Sequence, residues 1–416
     1  MPIVVGGIHP SLPEFTPHVI RDPNIDYVVM GEGELRIVAL MNAIKEGKNP
    51  EFDGVAYKKE SGDVEIITNR QIKARGGLVG NLEGYVRFDE LPLPARDLID
   101  MERYFEIGVP MGPFTHGYRP DQIMTSRGCP YECNFCATVE YWGRLMRNRS
   151  PENVLREVDD LVKRYGVDEI QWADDNLTAR SREAKQIFNG LIERGYPLKW
   201  ATPNGLMLRS MFEKNGEGPV DNEMVDLMAR SGAYQVTFAV ESGSQRVLRD
   251  IVHKPVPEQH RVRDLVDRIH GTGVKVHGMF IVGFPGEKPE EVEMTLRYPA
   301  ETGFDSASIF IACPMPGSRL YDEAKREGWI TDELIGGDLK TAHMTIPRSD
   351  PRFVMEKEEL EELVDKRLKE FNALRLQKDP EWHEKKFRVY REKQQAIRKK
   401  YGPTAGDTID IYGRVT

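Results

Sequence analysis

Three of the chain's four cysteines fall within eight positions of "GCPYECNFC", as Cys129, Cys133 and Cys136 in C-x3-C-x2-C spacing. Thiolates are soft ligands that select iron–sulfur clusters, zinc or Cu(I). A structural zinc site takes four protein ligands, usually from a second paired knuckle. No such knuckle accompanies these three; the nearest histidines, His116 and His253, belong to no pair with ligand spacing. Cys313, in "IFIACPMPGS", reads as a small buried hydrophobe. Three clustered thiols also make a poor disulfide framework. An iron–sulfur cube has four iron corners, and electron-transfer clusters fill the last with a fourth cysteine. Three thiolates leave one corner for an exogenous chelating ligand, which is a catalytic feature.

Such a loop needs a scaffold, and residues 121–330 read as one. "DQIMTS" predicts a strand directly before the cysteines. "SPENVLREVDDLVKRYG" predicts a helix with Ser150 as N-cap and Pro151 at its first position. Its apolar stripe is Val154, Leu155, Val158, Leu161 and Val162, and Gly166 stops it. Strands then follow at "DEIQWA", "LKWAT", "YQVTFAV", "VKVHGMFIVG" and "SASIFIA". Helices separate them at "REAKQIFNGLIERG", "DNEMVDLMARSG", "EQHRVRDLVDRIHGTG" and "PEEVEMTLRYPAETG". This alternation predicts parallel strands with right-handed crossovers. Polar and Gly/Pro motifs gather just after the strands, so the fold class is α/β with a partial (β/α)6 TIM-like barrel, its active site at the strands' C-terminal ends.

Residues 1–85 read as a partial Rossmann-like α/β domain. "IVVGG" and "DYVVMGEGE" predict strands, "LRIVALMNAI" a helix, and "GVAYKK" with "VEIITN" a hairpin around Ser61-Gly62-Asp63. The pattern opens in its middle, so the region is expected to be the second half of a domain in a truncated chain. Residues 86–120, rich in Pro, Gly and Asp, read as a linker. Residues 331–416 read as a helical C-terminal region. There 356–376 presents Leu360, Leu363, Val364, Leu368 and Phe371 on one face, and 384–402 is a basic helix read as a solvated face rather than a nucleic-acid contact.

With 416 residues, 39% of them hydrophobic, the chain has apolar material for a large core. Its net charge of −9 argues against a general nucleic-acid partner. No apolar run is long enough for a membrane span, and the start lacks the features of a secretory signal. The expected compartment is the cytoplasm.

The run "SRGCPYECNFC" on a six-unit β/α chain resembles the radical S-adenosylmethionine (SAM) superfamily. Phe135, the aromatic before the last cysteine, belongs to the pattern. The resemblance implies a [4Fe–4S] cluster on Cys129, Cys133 and Cys136, with its open iron chelated by the amino and carboxylate groups of SAM. One electron from the cluster then cleaves the sulfonium to a 5′-deoxyadenosyl radical. Further matches imply further cofactor contacts. "WADDN" resembles the segment near the methionine amino group, with Asp174, Asp175 and Asn176. "FAVESGS" resembles the ribose-contacting segment, with Glu241. "FIVGFPGE" resembles the adenine-contacting stretch, with Ile281 and Gly283. In "WGRLMRNRSPENV", Arg144, Arg147 and Arg149 are expected either to hold an anionic substrate or to brace the cluster loop.

"VVGGIHPSLPE…DYVVMGEGE" resembles the second half of the cobalamin-binding domain in the BchE-like branch. That carries the glycine pair flanking the cofactor's nucleotide tail onto Gly6 and Gly7. The family's D-x-H-x-x-G segment is absent from the sequence, and His9 and His18 do not sit in such a motif. The implied activity is a cobalamin-associated methyltransferase acting on an unactivated carbon of a small-molecule substrate. A one-electron reductant such as flavodoxin or ferredoxin would serve it. The alternatives are a radical cyclase, oxidase or rearrangement enzyme in tetrapyrrole, lipid or natural-product biosynthesis, or a non-catalytic iron–sulfur or zinc module.

Overall fold

This computed structural model describes residues 1–67, 85–108, 115–330, 352, 353 and 355–401. Expectations for 68–84, for 109–114 of the linker stretch, and for 331–350 and 402–416 of the C-terminal region lie outside the described residues. By internal contacts the chain divides into two units. The first comprises Met1–Leu91, Arg127–Asn148 and Cys313–Thr345; the second comprises Pro92–Ser126, Arg149–Ala312 and Ile346–Thr416.

The first unit is built on a four-stranded sheet of β1 (Val4–Gly6), β2 (Tyr27–Val29), β3 (Val55–Lys58) and β4 (Val64–Ile67), in that order. β1 and β2 are parallel, and β3 and β4 form the expected hairpin. Successive side chains of a strand point to opposite faces. Val28 accordingly packs with Ile20, Met30 and Ala56, while Val29 packs with Leu40 and Val55. Helix Glu34–Lys45 covers the second face with Leu40. The cysteine loop runs between the two-residue strands β6 (Ser126–Arg127) and β7 (Arg147–Asn148), which pair with each other.

The second unit carries six parallel strands: β5 (Pro120–Ile123), β8 (Glu169–Trp172), β9 (Lys199–Ala201), β10 (Ala233–Glu241), β11 (Lys275–Val282) and β12 (Ser306–Ile311). Their spatial order is their sequence order, and among the described residues β5 and β12 do not meet to close a barrel. One face of the sheet supplies Ile123, Ile170, Trp172, Trp200, Val236, Phe238, Val276 and Phe280 to a single core with the helices. Alternation puts Gln171, Thr237, Glu241 and His277 on the other face.

Helix Pro151–Tyr165 has the caps its sequence implies. The Ser150 side chain accepts from the Asn153 N–H, and Gly166 takes the left-handed conformation. Within 86–120, Asp100 caps a helix, Met101–Ile107, whose Met101 and Phe105 enter the core. Arg96 is buried between Asp121 at 2.7 Å and Glu157 at 2.8 Å. A π-helical turn, Val247–Val252, follows β10 and was not foreseen from the sequence pattern. Helix Lys357–Lys378 packs Leu360, Val364 and Leu368 against Val282, Val292 and Leu296, as its stripe implies. The basic helix Arg388–Tyr401 departs from a purely solvated face. Its Lys393 is buried and donates to the carbonyls of Phe105 and Gly108 at 2.8 and 2.9 Å. No helix among the described residues is long and apolar enough to cross a membrane.

Candidate functional site

In the first unit the cysteine loop is held from both ends. Gly128 has φ +96, and a Cβ there would stand 2.3 Å from the Leu145 carbonyl oxygen, so this position admits only glycine. The Cys136 N–H donates to the Cys133 carbonyl at 3.1 Å, which turns the chain between the last two thiols. The Leu320 N–H donates to the Asn134 carbonyl at 2.8 Å. Glu132 pairs with Arg144 at 2.5 Å and with Arg319.

Cys129, Cys133 and Cys136 are half-buried thiols. No three His, Cys, Asp or Glu side chains among the described residues converge on one metal ion. Cys313 is half-buried, and burial pushes its thiol up, consistent with the small-hydrophobe reading.

The loop's root joins the small sheet through charge. Arg147 donates to Glu32 at 2.5 and 3.1 Å, with the two side chains 8% and 1% exposed. Arg127 reaches Glu34 at 2.5 Å and Glu32 at 3.3 Å. Burial pushes the Glu34 carboxyl up, but the hydrogen bond and charge of Arg127 outweigh it and hold the group below its usual value. The Arg127 guanidinium also lies 4.8 Å from the Trp142 ring centroid. In the second unit Arg149 donates to Glu157 at 2.5 Å and Asn153 at 2.7 Å. Arg147 and Arg149 thus each have carboxylate partners within the protein, Arg147 beside the cysteine loop and Arg149 on the helix that follows it.

A cavity of about 500 Å³ opens at the C-terminal ends of β1 and β2. Gly6, Gly7, Gly31 and Gly33 line it with backbone, and Arg127, Tyr141 and Trp142 of the cysteine loop line it with side chains. Gly7 has φ 98 and ψ −166, a combination essentially reserved for glycine. In open α/β sheets, ligands bind in the crevice outside the strands' carboxyl ends. A glycine floor there admits the close approach of a bulky ligand.

In the second unit the expected SAM contacts gather at the C-terminal ends of β8, β10 and β11. Asp174 is 2% exposed, and its carboxylate accepts from the Thr125 N–H, the Thr125 hydroxyl at 2.7 Å and the Ser126 hydroxyl at 2.6 Å. It is spent on the chain itself. Asp175 is half-buried, and burial, followed by the charge of Asp174, pushes it up to about 6. Asn176 is buried; its Oδ1 accepts from the Met207 N–H at 3.4 Å, and its Nδ2 has no hydrogen-bond partner among the described residues.

Glu241 ends β10 with φ +70, where a non-glycine residue costs on the order of 1–3 kcal/mol. Lys254 Nζ lies 2.6 Å from its Oε1, with both side chains buried. Ile281 is half-buried on neighbouring β11. Gly283 has φ +82, and a Cβ there would come within 2.6 Å of Leu360. Glu287 folds back to accept from the Gly283 and Phe284 N–H groups at 2.6 and 3.1 Å. Burial pushes its carboxyl up to about 7.

Sequence reasoning missed Lys254, Glu32 and Glu287. Lysine is rarely buried without a partner, and nothing local in "VHKPV" announces one. The signal for Glu32 was its place between two glycines after a strand, and for Glu287 the tight "GFPGE" turn.

The chain matches the Radical SAM superfamily over residues 123–298. It is 37% identical over 388 residues to cytidylyl-2-hydroxyethylphosphonate methyltransferase of Streptomyces wedmorensis, covering 89% of this chain and 69% of that protein. It is 27% identical over 327 residues to the anaerobic magnesium-protoporphyrin IX monomethyl ester cyclase of Rubrivivax gelatinosus, covering 77% of this chain and 52% of that protein. The fold resembles TsrM, a radical S-adenosylmethionine methyltransferase of Kitasatospora setae solved with cobalamin and a [4Fe–4S] cluster bound. The TM-score is 0.61 at 20% identity, over 78% of this chain and 58% of that one. The chain therefore spans from about half to about two thirds of the length of these relatives.

Proposed function

Because the chain belongs to the radical SAM superfamily, a family of [4Fe–4S] enzymes that cleave S-adenosylmethionine, we propose that it acts as a cobalamin-associated methyltransferase on an unactivated carbon. The observation that carries this reading is the glycine-floored cavity at the ends of β1 and β2, walled by the cysteine loop itself. Cys129, Cys133 and Cys136 hold the cluster, and Gly6 and Gly7 flank the cobalamin tail. When bound, the cluster supplies the electron that cleaves SAM, and cobalamin supplies a methyl carrier.

The chain's own residues bind and orient SAM. Above about pH 6 Asp175 is ionised and meets the ammonium of the methionine moiety, with Asn176 Nδ2, which has no partner among the described residues, as a donor. Glu241 accepts from the ribose hydroxyls. Ile281 packs near the adenine, and Gly283 leaves room for it. Asp174 positions this set by fixing Thr125 and Ser126.

A nucleotide-linked hydroxyalkylphosphonate, the chemistry in the name of the Streptomyces relative, is the first substrate class to test. The cyclase relative keeps a second reading open, in which the radical initiates ring closure on a tetrapyrrole. A flavodoxin- or ferredoxin-type donor supplies the electron, and the compartment is the cytoplasm.

The test is anaerobic reconstitution with iron and sulfide, then titration with SAM and with hydroxocobalamin. The reading expects a cluster spectrum that responds to SAM, deoxyadenosine on reduction, and saturable cobalamin binding. A cluster indifferent to SAM sinks the enzyme reading. A SAM-responsive protein that ignores cobalamin sinks the methyltransferase mechanism and leaves the cyclase.

A further inference from the structure

Backbone irregularities in the second unit converge on one ion pair. The β10–β11 register shifts between Ala239 and Glu241, so the strand is distorted just where Glu241 ends it. Glu241 then takes the left-handed conformation at φ +70. Seven of the next twelve positions fall in or beside the π-turn Val247–Val252 and its cap His253, itself left-handed at φ +58. The Lys254 N–H closes that turn on the Leu248 carbonyl at 2.8 Å. The result is Lys254 Nζ at 2.6 Å from Glu241 Oε1, with relative exposures of 5% and 7%. π-turns and left-handed non-glycine residues are costly and concentrate at functional sites. Here they bring a cation to the carboxylate at a strand's C-terminal end.

The carboxylate is only half used. Oε1 takes Lys254, while Oε2 has no hydrogen-bond partner among the described residues. A carboxylate fixed through one oxygen, with the other available, is an oriented acceptor.

We propose that Lys254 is a positioning residue that holds the Glu241 carboxylate aimed, so that its second oxygen accepts from the ribose hydroxyls of SAM. The inference rests on the reading of Glu241 as the ribose acceptor. It makes Lys254 act through Glu241, not through a contact of its own with the ligand.

The test compares S-adenosylhomocysteine with its 2′,3′-dideoxy counterpart, each binding to the cluster-loaded full chain under anaerobic conditions. The wild type should prefer the hydroxylated ligand by about tenfold or more, the value of a hydrogen bond to a charged group. Lys254→Met should lose that preference while still binding the dideoxy ligand like the wild type. Lys254→Arg should retain the preference. If Lys254→Met does not accumulate as folded protein, the shorter Lys254→Gln, whose amide stops short of Glu241, should show the same loss. A neutral variant that keeps the wild-type preference, or that weakens both ligands equally, overturns the positioning role. A wild type that does not discriminate, together with Glu241→Gln binding unchanged, overturns the Glu241 reading itself and this inference with it.

Discussion

At the scale of single residues, each side chain of the candidate site is assigned by what its polar atoms already touch. Asp174 and Asp175 are neighbours in "WADDN", yet one is consumed by Thr125 and Ser126 and the other stays half-buried with its carboxyl pushed up to about 6. The affinity for SAM should therefore fall as pH drops through about 6, as Asp175 takes a proton, and Asp175→Asn should weaken binding and flatten that profile. Binding titrations across this range check it. Stability moves the other way. Between about pH 4 and 6 the folded protein keeps a proton on Asp175 that the unfolded chain releases, so stability falls as pH rises through that window. Any one of Cys129→Ala, Cys133→Ala or Cys136→Ala should abolish deoxyadenosine formation, followed by chromatography of the quenched reaction. The cysteines were legible because their spacing alone limits the chemistry. Which carboxylate of the DD pair remained available was not, because it depends on hydroxyls about fifty positions earlier.

At the scale of elements, alternation and capping chemistry were written locally and held. Ser150, Pro151 and Gly166 bound their helix as read, and the hairpin around Gly62 paired as expected. The irregular elements were not legible: a π-turn has no period of its own in the sequence, and it is what delivers Lys254. The arginines of "GRLMRNR" show the same limit. Arg147 pairs with Glu32, more than a hundred positions earlier, which no local pattern connects, whereas Arg149 finds Glu157 in the helix that follows it. Removing one partner of a buried pair strands the other charge and costs about 3–5 kcal/mol. Glu32→Ala should thus destabilise the first unit by roughly that amount, read from chemical denaturation of the apoprotein. It should also lower the iron content after reconstitution, because Arg127 and Arg147 flank the cysteine loop.

At the scale of the molecule, the strand–helix core was the most legible part, and its autonomy the least. Leu360, Val364, Leu368 and Phe371, all from beyond residue 330, are buried. At about 1.5–3 kcal/mol for each buried side chain, their loss amounts to roughly 6–12 kcal/mol, against a typical total stability of 5–15 kcal/mol. A chain ended after Ile330 should not fold, and circular dichroism with size-exclusion chromatography would show an expanded or aggregated species. The amphipathic stripe announced that the helix must cover something. The sequence could not say that what it covers is Val282 at the end of β11, one residue before Gly283.

The order of the six parallel strands has a consequence for how the protein is made. Each strand of that sheet after the first pairs with the one synthesised just before it within the sheet. Each strand–helix repeat can dock on an edge that already exists. Long-range pairings are what slow the folding of sheets and leave them open to aggregation. This sheet pairs each strand with its neighbour in sequence, so it can grow in the direction of translation. The helix that buries Leu360 and Val364 is added after the sheet is complete.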